Sequence, residues 1–168
     1  MTVSLLPISA LAVEPSDTVA AQETTVITTA EEFAAMTPDG AYRLGADITM
    51  DAPYGKTFTG SLDGAYHTVT LALHVTADDT DASWGLFRAL NGAAIRDLRL
   101  AGELAAAEDS PAKNVGALAG TVSGDTMVSG CRSEVQISVS SADSHVGGLA
   151  GSVTGGTLAL TGCADAGT

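Results

Sequence analysis

The sequence predicts an all-β fold in which short parallel strands wind into a β-helix of about four to five coils, with a short helix at its N-terminal end. Three observations predict this fold: the composition, the short alternating segments between turns, and an internal repeat. Of the 168 residues 45% are hydrophobic but only 4% are aromatic, and 19 are Gly. Small and β-branched side chains suit close-packed strands and tight turns better than long helices.

The internal repeat is the strongest of these signals. The block VGALAGTVSG that begins at Val115 recurs as VGGLAGSVTG from Val146, an offset of 146 − 115 = 31 residues. One period earlier, WGLF begins at Trp84 and aligns Phe87 with Leu118. Helical repeats are excluded, because each Gly inside a helix costs about 1 kcal/mol relative to Ala, and a propeller blade needs roughly 40 residues. Each unit is therefore predicted to be one coil that stacks on the previous coil at about 4.8 Å.

Stacked coils place equivalent residues above one another. The residues expected to form interior ladders are Phe87, Leu118 and Leu149, with Val122 and Val153 beside them. Such ladders let each coil bury apolar surface that it could not bury alone.

Two pairs of residues recur at matched positions of the last two units. Gly116 and Gly147 are expected to permit close backbone approach or a positive φ at corners. Cys131 and Cys163 lie 163 − 131 = 32 residues apart, and each follows a Gly. We expect them to stack as reduced thiols that behave as small hydrophobes, although an exported protein also permits a disulfide.

Three regions follow one another along the chain. Residues 1–12 are an apolar run that ends in Ala10-Leu11-Ala12, the A-x-A form of a signal-peptidase site, and are predicted to be a signal-peptide remnant. The basic part of a leader is missing, since no Lys or Arg precedes Arg43. Residues 13–25 have no hydrophobic period and are predicted to be a disordered linker. Residues 26–168 form the predicted β-helix domain, which is expected to continue beyond the chain because no polar capping unit ends it.

A helix is predicted before the first coils. Thr29 and Glu32 have the spacing of a capping box, which predicts a helix over about 30–36 that ends before the Pro38-Asp39-Gly40 turn. Such a helix would cover the open end of the stack. Alternating or apolar segments then predict strands at residues 42–44, 48–50, 58–62, 69–75 and 135–139.

The repeat blocks resemble a known family. VGALAG and VGGLAG, each followed by a Gly-Cys pair, resemble the GLUG repeats of bacterial cell-surface proteins. The stretches FTGSLDGAYHTV, GLF and IRDL are similar to the segment that commonly introduces such repeats. The resemblance covers about residues 26–168. It implies a right-handed parallel β-helix on an exported protein, adhesin-like in some members and preceding the catalytic region of IgA-cleaving zinc metallopeptidases in others.

Charge and hydropathy narrow the classes of partner. The formal net charge is −13 and the seven Lys and Arg residues are spread singly, which argues against nucleic-acid binding because that affinity depends on clustered basic side chains. The apolar N-terminal run is far shorter than the ~20 residues of a membrane span. A secreted or cell-surface location without a membrane span is therefore expected.

The histidines and hydroxyls do not form a recognisable catalytic motif. No HExxH is present, and His67 and His74 are seven residues apart, so one continuous strand would point them to opposite faces. Ser144 and His145 are adjacent, which does not give hydrogen-bond geometry on a strand, and no G-x-S-x-G occurs. We expect solvent-facing or turn histidines.

Carboxylates offer the main enzymatic alternative, which is carbohydrate cleavage in a groove along the coils. The candidate residues are Asp47, Asp51, Asp63 and Asp97, with Arg96 or Arg99. However, Asp63-Gly64 is explained as a turn, and Asp97 can pair with its arginine neighbours. Sugar-binding grooves usually display exposed aromatics, whereas Trp84 adjoins a predicted core block.

The densest acidic cluster is Asp78, Asp79 and Asp81 in the loop TADDTDAS. Its carboxylates could bind calcium, but neither the EF-hand loop nor the calcium-binding nonapeptide is present. A solvated loop is favoured, and calcium binding stays open.

The sequence thus predicts a non-enzymatic secreted or cell-surface structural or adhesion module, with no catalytic, cofactor-binding or metal-binding residues. The alternative is an accessory N-terminal module of a larger secreted hydrolase, either a zinc metallopeptidase or a polysaccharide-degrading enzyme. A host or extracellular-matrix glycan or protein is a conceivable partner. Exposed sheet edges at the C-terminal end also predict end-to-end self-association.

Overall fold

The chain winds into a parallel β-helix of about four coils in the computed structural model, which describes residues 23–168. The predicted leader and most of the predicted linker lie outside the described residues. Strand β1 (Thr25–Ile27) and helix α1 (Ala30–Ala34) come first. The four coils then contain β2 (Ala41–Leu44), β3 (Ile48–Met50) and β4 (Tyr54–Phe58); β5 (Ser61–Asp63), β6 (Thr68–Val75), β7 (Ser83–Trp84) and β8 (Phe87–Asn91); β9 (Ala94–Arg96), β10 (Arg99–Ala106), β11 (Asn114–Gly116) and β12 (Ala119–Ser123); and β13 (Thr126–Ser129), β14 (Arg132–Val139), β15 (His145–Gly147) and β16 (Ala150–Val153). Strands β17 (Leu158–Thr161) and β18 (Ala164–Asp165) begin a further coil.

Each coil contributes one strand to each of up to four parallel sheets. The first sheet has the order β1-β2-β5-β9-β13-β17, the second β3-β6-β10-β14-β18, the third β7-β11-β15 and the fourth β4-β8-β12-β16. The first coil has no strand in the third sheet. The predicted all-β parallel β-helix is therefore confirmed.

Ladders of inward-facing side chains form the core. In β6 every second residue from Val69 to Val75 is at most 2% exposed. Leu73 pairs with Leu104 of the next coil, and Leu104 pairs with Ile137 of the coil after that. Fully burying a leucine stabilises a fold by about 1.5–3 kcal/mol, so neighbouring coils stabilise one another.

Helix α1 forms for the local reason that the sequence predicts. The Thr29 side chain accepts a hydrogen bond from the Glu32 amide, and the Glu32 carboxylate accepts one from the Thr29 amide. These bonds satisfy amides that the first turn of a helix leaves without partners. No helix among residues 23–168 has both the length and the apolarity of a membrane span.

Aromatic side chains join this helix to the core. Phe33 of α1 is fully buried, with its ring centroid 6.3 Å from that of Tyr54 and 5.6 Å from that of Phe87. Phe58 stacks on Phe87 at 5.1 Å. The helix packs against β3 and β4, the two strands between which the first coil lacks a third-sheet strand. It therefore covers the core at the N-terminal end, as predicted.

The repeat register is correct in part. Val115 pairs with Trp84 on one side and Val146 on the other, as the 31-residue period predicts. The prediction that Phe87 aligns with Leu118 is wrong, because Phe87 pairs with Ala119. The third coil has one more residue between its third-sheet and fourth-sheet strands than the second coil has, and this residue shifts the register.

A second correction concerns the predicted strand at residues 58–62. The chain turns a corner at Thr59 and Gly60, so this segment contributes to two sheets. The Thr59 amide donates to the Pro38 carbonyl at 2.7 Å, and a Cβ added to Gly60 would lie only 2.0 Å from the Gly40 carbonyl oxygen. Close backbone approach at Gly60 therefore fixes the corner, which hydrophobic periodicity does not reveal.

The predicted close approach at Gly116 is confirmed, but a positive φ occurs at other positions. A Cβ on Gly116 would lie 2.6 Å from both the Ala119 carbonyl oxygen and the Gly151 amide nitrogen. Left-handed residues recur in two stacked rows at other corners: Gly92, Gly124 and Gly156, and Asp97, Gly130 and Gly162.

Cys131 and Cys163 stack as predicted. Arg132 pairs with Ala164, which places the preceding cysteines on neighbouring coils. Both are free thiols. Cys131 is 1% exposed, and this burial raises its pKa to about 11.

Candidate functional site

The histidines lie apart and contact acidic or backbone groups. His67 Nδ1 lies 3.2 Å from Asp47 Oδ1, and the same oxygen accepts a hydrogen bond from the Thr68 amide at 2.8 Å. The Thr68 amide bond is the main reason that the pKa of Asp47 is lowered, and His67 adds to the effect. His74 Nε2 lies 3.3 Å from Glu103 of the next coil.

Ser144 has a structural partner of its own. Its hydroxyl donates to the Ala112 carbonyl at 2.7 Å and lies 2.6 Å from the Ser141 hydroxyl. His145 is exposed on β15. The hydroxyl therefore helps to fix a loop against the preceding coil.

Two of the three clustered aspartates have structural partners. Asp79 accepts hydrogen bonds from the amide and the hydroxyl of Thr76. Asp81 pairs with Arg88, and its carbonyl accepts a hydrogen bond from Trp84 Nε1 at 2.7 Å. Across residues 23–168, no group of three or more His, Cys, Asp or Glu side chains could hold a metal ion.

Trp84 is a core residue with a cation over it. Its side chain belongs to a residue that is 4% exposed, and the Arg88 guanidinium lies 5.3 Å from the centroid of its ring. Trp84 therefore anchors the loop that carries the acidic cluster, and its ring is not free to stack on a ligand.

The largest concave surface with polar side chains is a groove on the outer face of the first sheet, with a volume of about 410 Å³. We call it the axial groove, because it crosses successive coils along the helix axis. The residues that characterise it are Arg43, Ser61, Asp63, Arg96, Met127 and Ser129.

The strand register aligns the charged residues of the axial groove in one row. Arg43 pairs with Asp63, Asp63 with Arg96, and Arg96 with Ser129. One residue earlier on each strand, Ser61 pairs with Ala94, which pairs with Met127. Successive strands lie about 4.8 Å apart, so the four rungs from β2 to β13 extend over roughly 14 Å.

Asp63 is held between its neighbours. Its Oδ2 accepts from Arg96 Nη2 at 2.7 Å, and its Oδ1 accepts from the Ala65 amide at 2.9 Å. The second bond belongs to the turn that the sequence predicts at Asp63-Gly64. The prediction that Asp97 pairs with its arginine neighbours fails for Arg96, which pairs with Asp63; Asp97 forms a left-handed corner with φ 50°.

Arg43 differs from Arg96 in having no ion-pair partner among residues 23–168. Its side chain belongs to an exposed residue at the rim of the axial groove. All of its guanidinium donors are therefore available to a ligand.

The axial groove is suited to binding and not to acid–base chemistry. Hydrolysis of a glycosidic bond by the usual route needs two carboxyl groups that flank the bond. Asp63 is the one carboxylate among the groove residues, and it already accepts two hydrogen bonds. Asp51 is exposed in a bend after β3, on the second-sheet side of the first coil.

The sequence identified Asp63 and Arg96 but not the groove that contains them. Arg43 and Asp63 are 63 − 43 = 20 residues apart, whereas Asp63 and Arg96 are 96 − 63 = 33 apart. The first coil is short, so a search at a period of 31 does not place Arg43 in the row. The alternation of outward residues on β5 and β9 was the available signal.

Comparison with known proteins adds no relative: no family model, no curated protein and no solved structure matches the chain. The resemblance to GLUG repeats therefore stays a prediction from the sequence, and function is argued from the structure alone.

Proposed function

We propose that the protein is a non-enzymatic secreted or cell-surface module, a rigid rod that serves structure or adhesion. The observation that carries the proposal is the unbroken ladder of paired strands through the coils. The pairs β6·β10 and β10·β14 each extend over eight residues without a shift of register. Such pairing gives stiffness along the axis and broad polar faces, which suit presentation and attachment.

The placement of the reactive side chains supports this proposal. His67, His74 and Ser144 lie in different places, and each has a structural partner. Catalysis needs a nucleophile or base held beside a second group that acts on the same atom. The alternative function, an accessory module of a larger secreted hydrolase, has no separate feature of these coils in its favour.

Self-association through the C-terminal end is part of the proposal. Val146, Val153 and Leu160 occupy interior ladder positions, since their partners Val115, Val122 and Val128 are at most 1% exposed. Yet these three residues are 52%, 49% and 50% exposed. Strands β16, β17 and β18 are also the last of their sheets, so each has one unpaired edge.

Helix α1 covers the core at the other end, so a copy cannot add its open end there. Two copies of the chain are therefore expected to meet through their C-terminal ends in a closed, two-fold dimer. We expect this contact to be concentration-dependent.

Sedimentation of Val153→Lys beside the matched Val26→Lys tests the proposal. Both variants add one charge at a half-exposed valine, but Val26 faces outward on β1 at 56% exposure. Wild type and Val26→Lys should dimerise, and Val153→Lys should stay monomeric at the same concentration. A monomeric wild type, or filaments in place of dimers, would contradict the closed arrangement; turnover of a glycan or peptide by the pure chain would contradict the non-enzymatic function.

A further inference from the structure

We propose that the axial groove binds a linear acidic polysaccharide, whose carboxylates contact Arg43 and Arg96. This inference rests on the proposed adhesion function and names the class of ligand. The two arginines stand on the first and third rungs of one row, with Asp63 between them. The groove thus presents two guanidinium groups roughly 10 Å apart along the axis, at twice the strand spacing.

The charges of the axial groove differ in sign from those of the chain. Arg43, Asp63 and Arg96 sum to +1 − 1 + 1 = +1, whereas the chain as a whole carries −13. Arg43 has no ion-pair partner among the described residues, and the ion pair of Arg96 uses one of its five donors. Guanidinium groups form strong, often bidentate hydrogen bonds with carboxylates. An anionic ligand is therefore favoured at this surface in particular.

The remaining lining favours a sugar polymer over a peptide. The hydroxyls of Ser61 and Ser129 can exchange hydrogen bonds with ligand hydroxyls. An extended peptide usually binds a sheet by adding a strand to an open edge. The floor of the axial groove is instead the face of a sheet, where the backbone amides and carbonyls are used within the ladders. A peptide would find few partners for its backbone there.

An exposed aromatic lies beside the groove. Tyr66 is three residues beyond Asp63, is 63% exposed and has φ 64°. A bulky side chain with a positive φ is uncommon and marks a position that the surrounding structure must stabilise. The Tyr66 amide donates to the Asp97 carbonyl at 2.8 Å, which fixes this corner beside Arg96. An exposed ring at this place is suited to stacking on a sugar.

Titration of the pure chain with polygalacturonate oligomers, followed by calorimetry, tests the proposal. Arg43→Ala removes an exposed side chain with no partner among the described residues, and it should weaken binding by about tenfold, the effect expected for one charge-assisted contact. Arg43→Ala/Arg96→Ala should abolish binding.

The matched control is Arg99→Ala/Arg132→Ala, which removes the same charge from the outer face of the second sheet, where these two arginines pair. It should bind within twofold of wild type. Equal loss in both double variants, equal binding of a neutral galactan, or equal binding of polyglutamate would overturn the proposal.

Failure of this inference and failure of the proposed function are distinguishable in the same samples. If polygalacturonate does not bind while the chain still dimerises without turnover, the ligand assignment alone is wrong. If the polymer binds and new chain ends accumulate, the groove assignment holds and the non-enzymatic function is wrong.

Discussion

Cys131 shows how stacking changes the chemistry of a single residue. It lies between Leu98 of the preceding coil and Cys163 of the next, and its side chain is excluded from water. Burial disfavours the thiolate, which raises the pKa of the thiol to about 11. A thiol of this kind is a packing residue with low nucleophilicity.

This pKa predicts a pH dependence of stability. The folded-state pKa lies above the unfolded value of about 8.5, so the contribution of the protonated thiol is complete below pH 8.5 and is lost as the pH rises to about 11. The urea midpoint of wild type should fall more between pH 8 and pH 10.5 than that of Cys131→Ala. An equal fall in both proteins would show that Cys131 is not buried as a thiol in the folded state.

The charged row of the axial groove is a second feature at the residue scale. Asp63 accepts from both Arg96 and the turn that follows it, so one carboxylate fixes a corner and pairs two coils. The side chain of Asp63 is 18% exposed, which leaves Arg43 as the accessible charge of the row. Binding and structure are therefore divided between neighbouring residues.

Helix α1 is the element whose formation depends most on local contacts. It spans five residues, and an isolated helix of that length is not stable in water. Its capping box and the buried Phe33 together hold it over the first coil. Strands, in contrast, depend on neighbours that are about 31 to 33 residues away in the chain.

Thr29→Ala should lower the free energy of unfolding by about 1 kcal/mol, because the Glu32 amide loses its acceptor. The Thr28 amide bond, with smaller contributions from the Thr28 hydroxyl and the Thr29 amide, lowers the pKa of Glu32. The contribution of Glu32 is therefore present above the usual pKa of a glutamate and is lost as the pH falls through the lowered value.

Urea denaturation measures both effects, and Thr49→Ala, an exposed threonine in the middle of β3, serves as the control. If Thr29→Ala costs no more than Thr49→Ala, the capping box does not contribute to stability. If Glu32→Gln keeps the acid dependence of wild type, another carboxyl is responsible for it.

At the scale of the whole molecule, stability depends on how many neighbours a coil has. Strand β10 pairs with β6 on one side and β14 on the other, whereas β17 and β18 pair on one side only. In such stacked folds each unit is stabilised mainly by the units that it touches.

Hydrogen exchange should therefore be slowest in β6 and β10 and fastest at the C-terminal end. The amides of β17 should exchange well before those of β9, which has neighbours on both sides in the same sheet. The measurement is made at low concentration, where dimers are absent. Uniform protection from β9 to β17 would contradict the one-sided pairing of the last coil.

Much of the fold was determined by the sequence alone, because repetition and alternation are local patterns. The 31-residue offset between Val115 and Val146, the alternation from Val69 to Val75 and the Thr29 capping box each survive in the structure. They survive because parallel stacking puts like residues on like positions, so that an error in one coil is corrected by its neighbours.

Only the tertiary structure decided the corners and the surface. The extra residue before Ala119, the corner at Gly60 and the short first coil that aligns Arg43 with Asp63 follow from contacts between residues far apart in sequence. Periodicity reports which side chains face inward, but an outward row belongs to several strands and depends on the length of every coil between them. For this reason the sequence alone predicted the core, and the axial groove became apparent only when the coils were stacked.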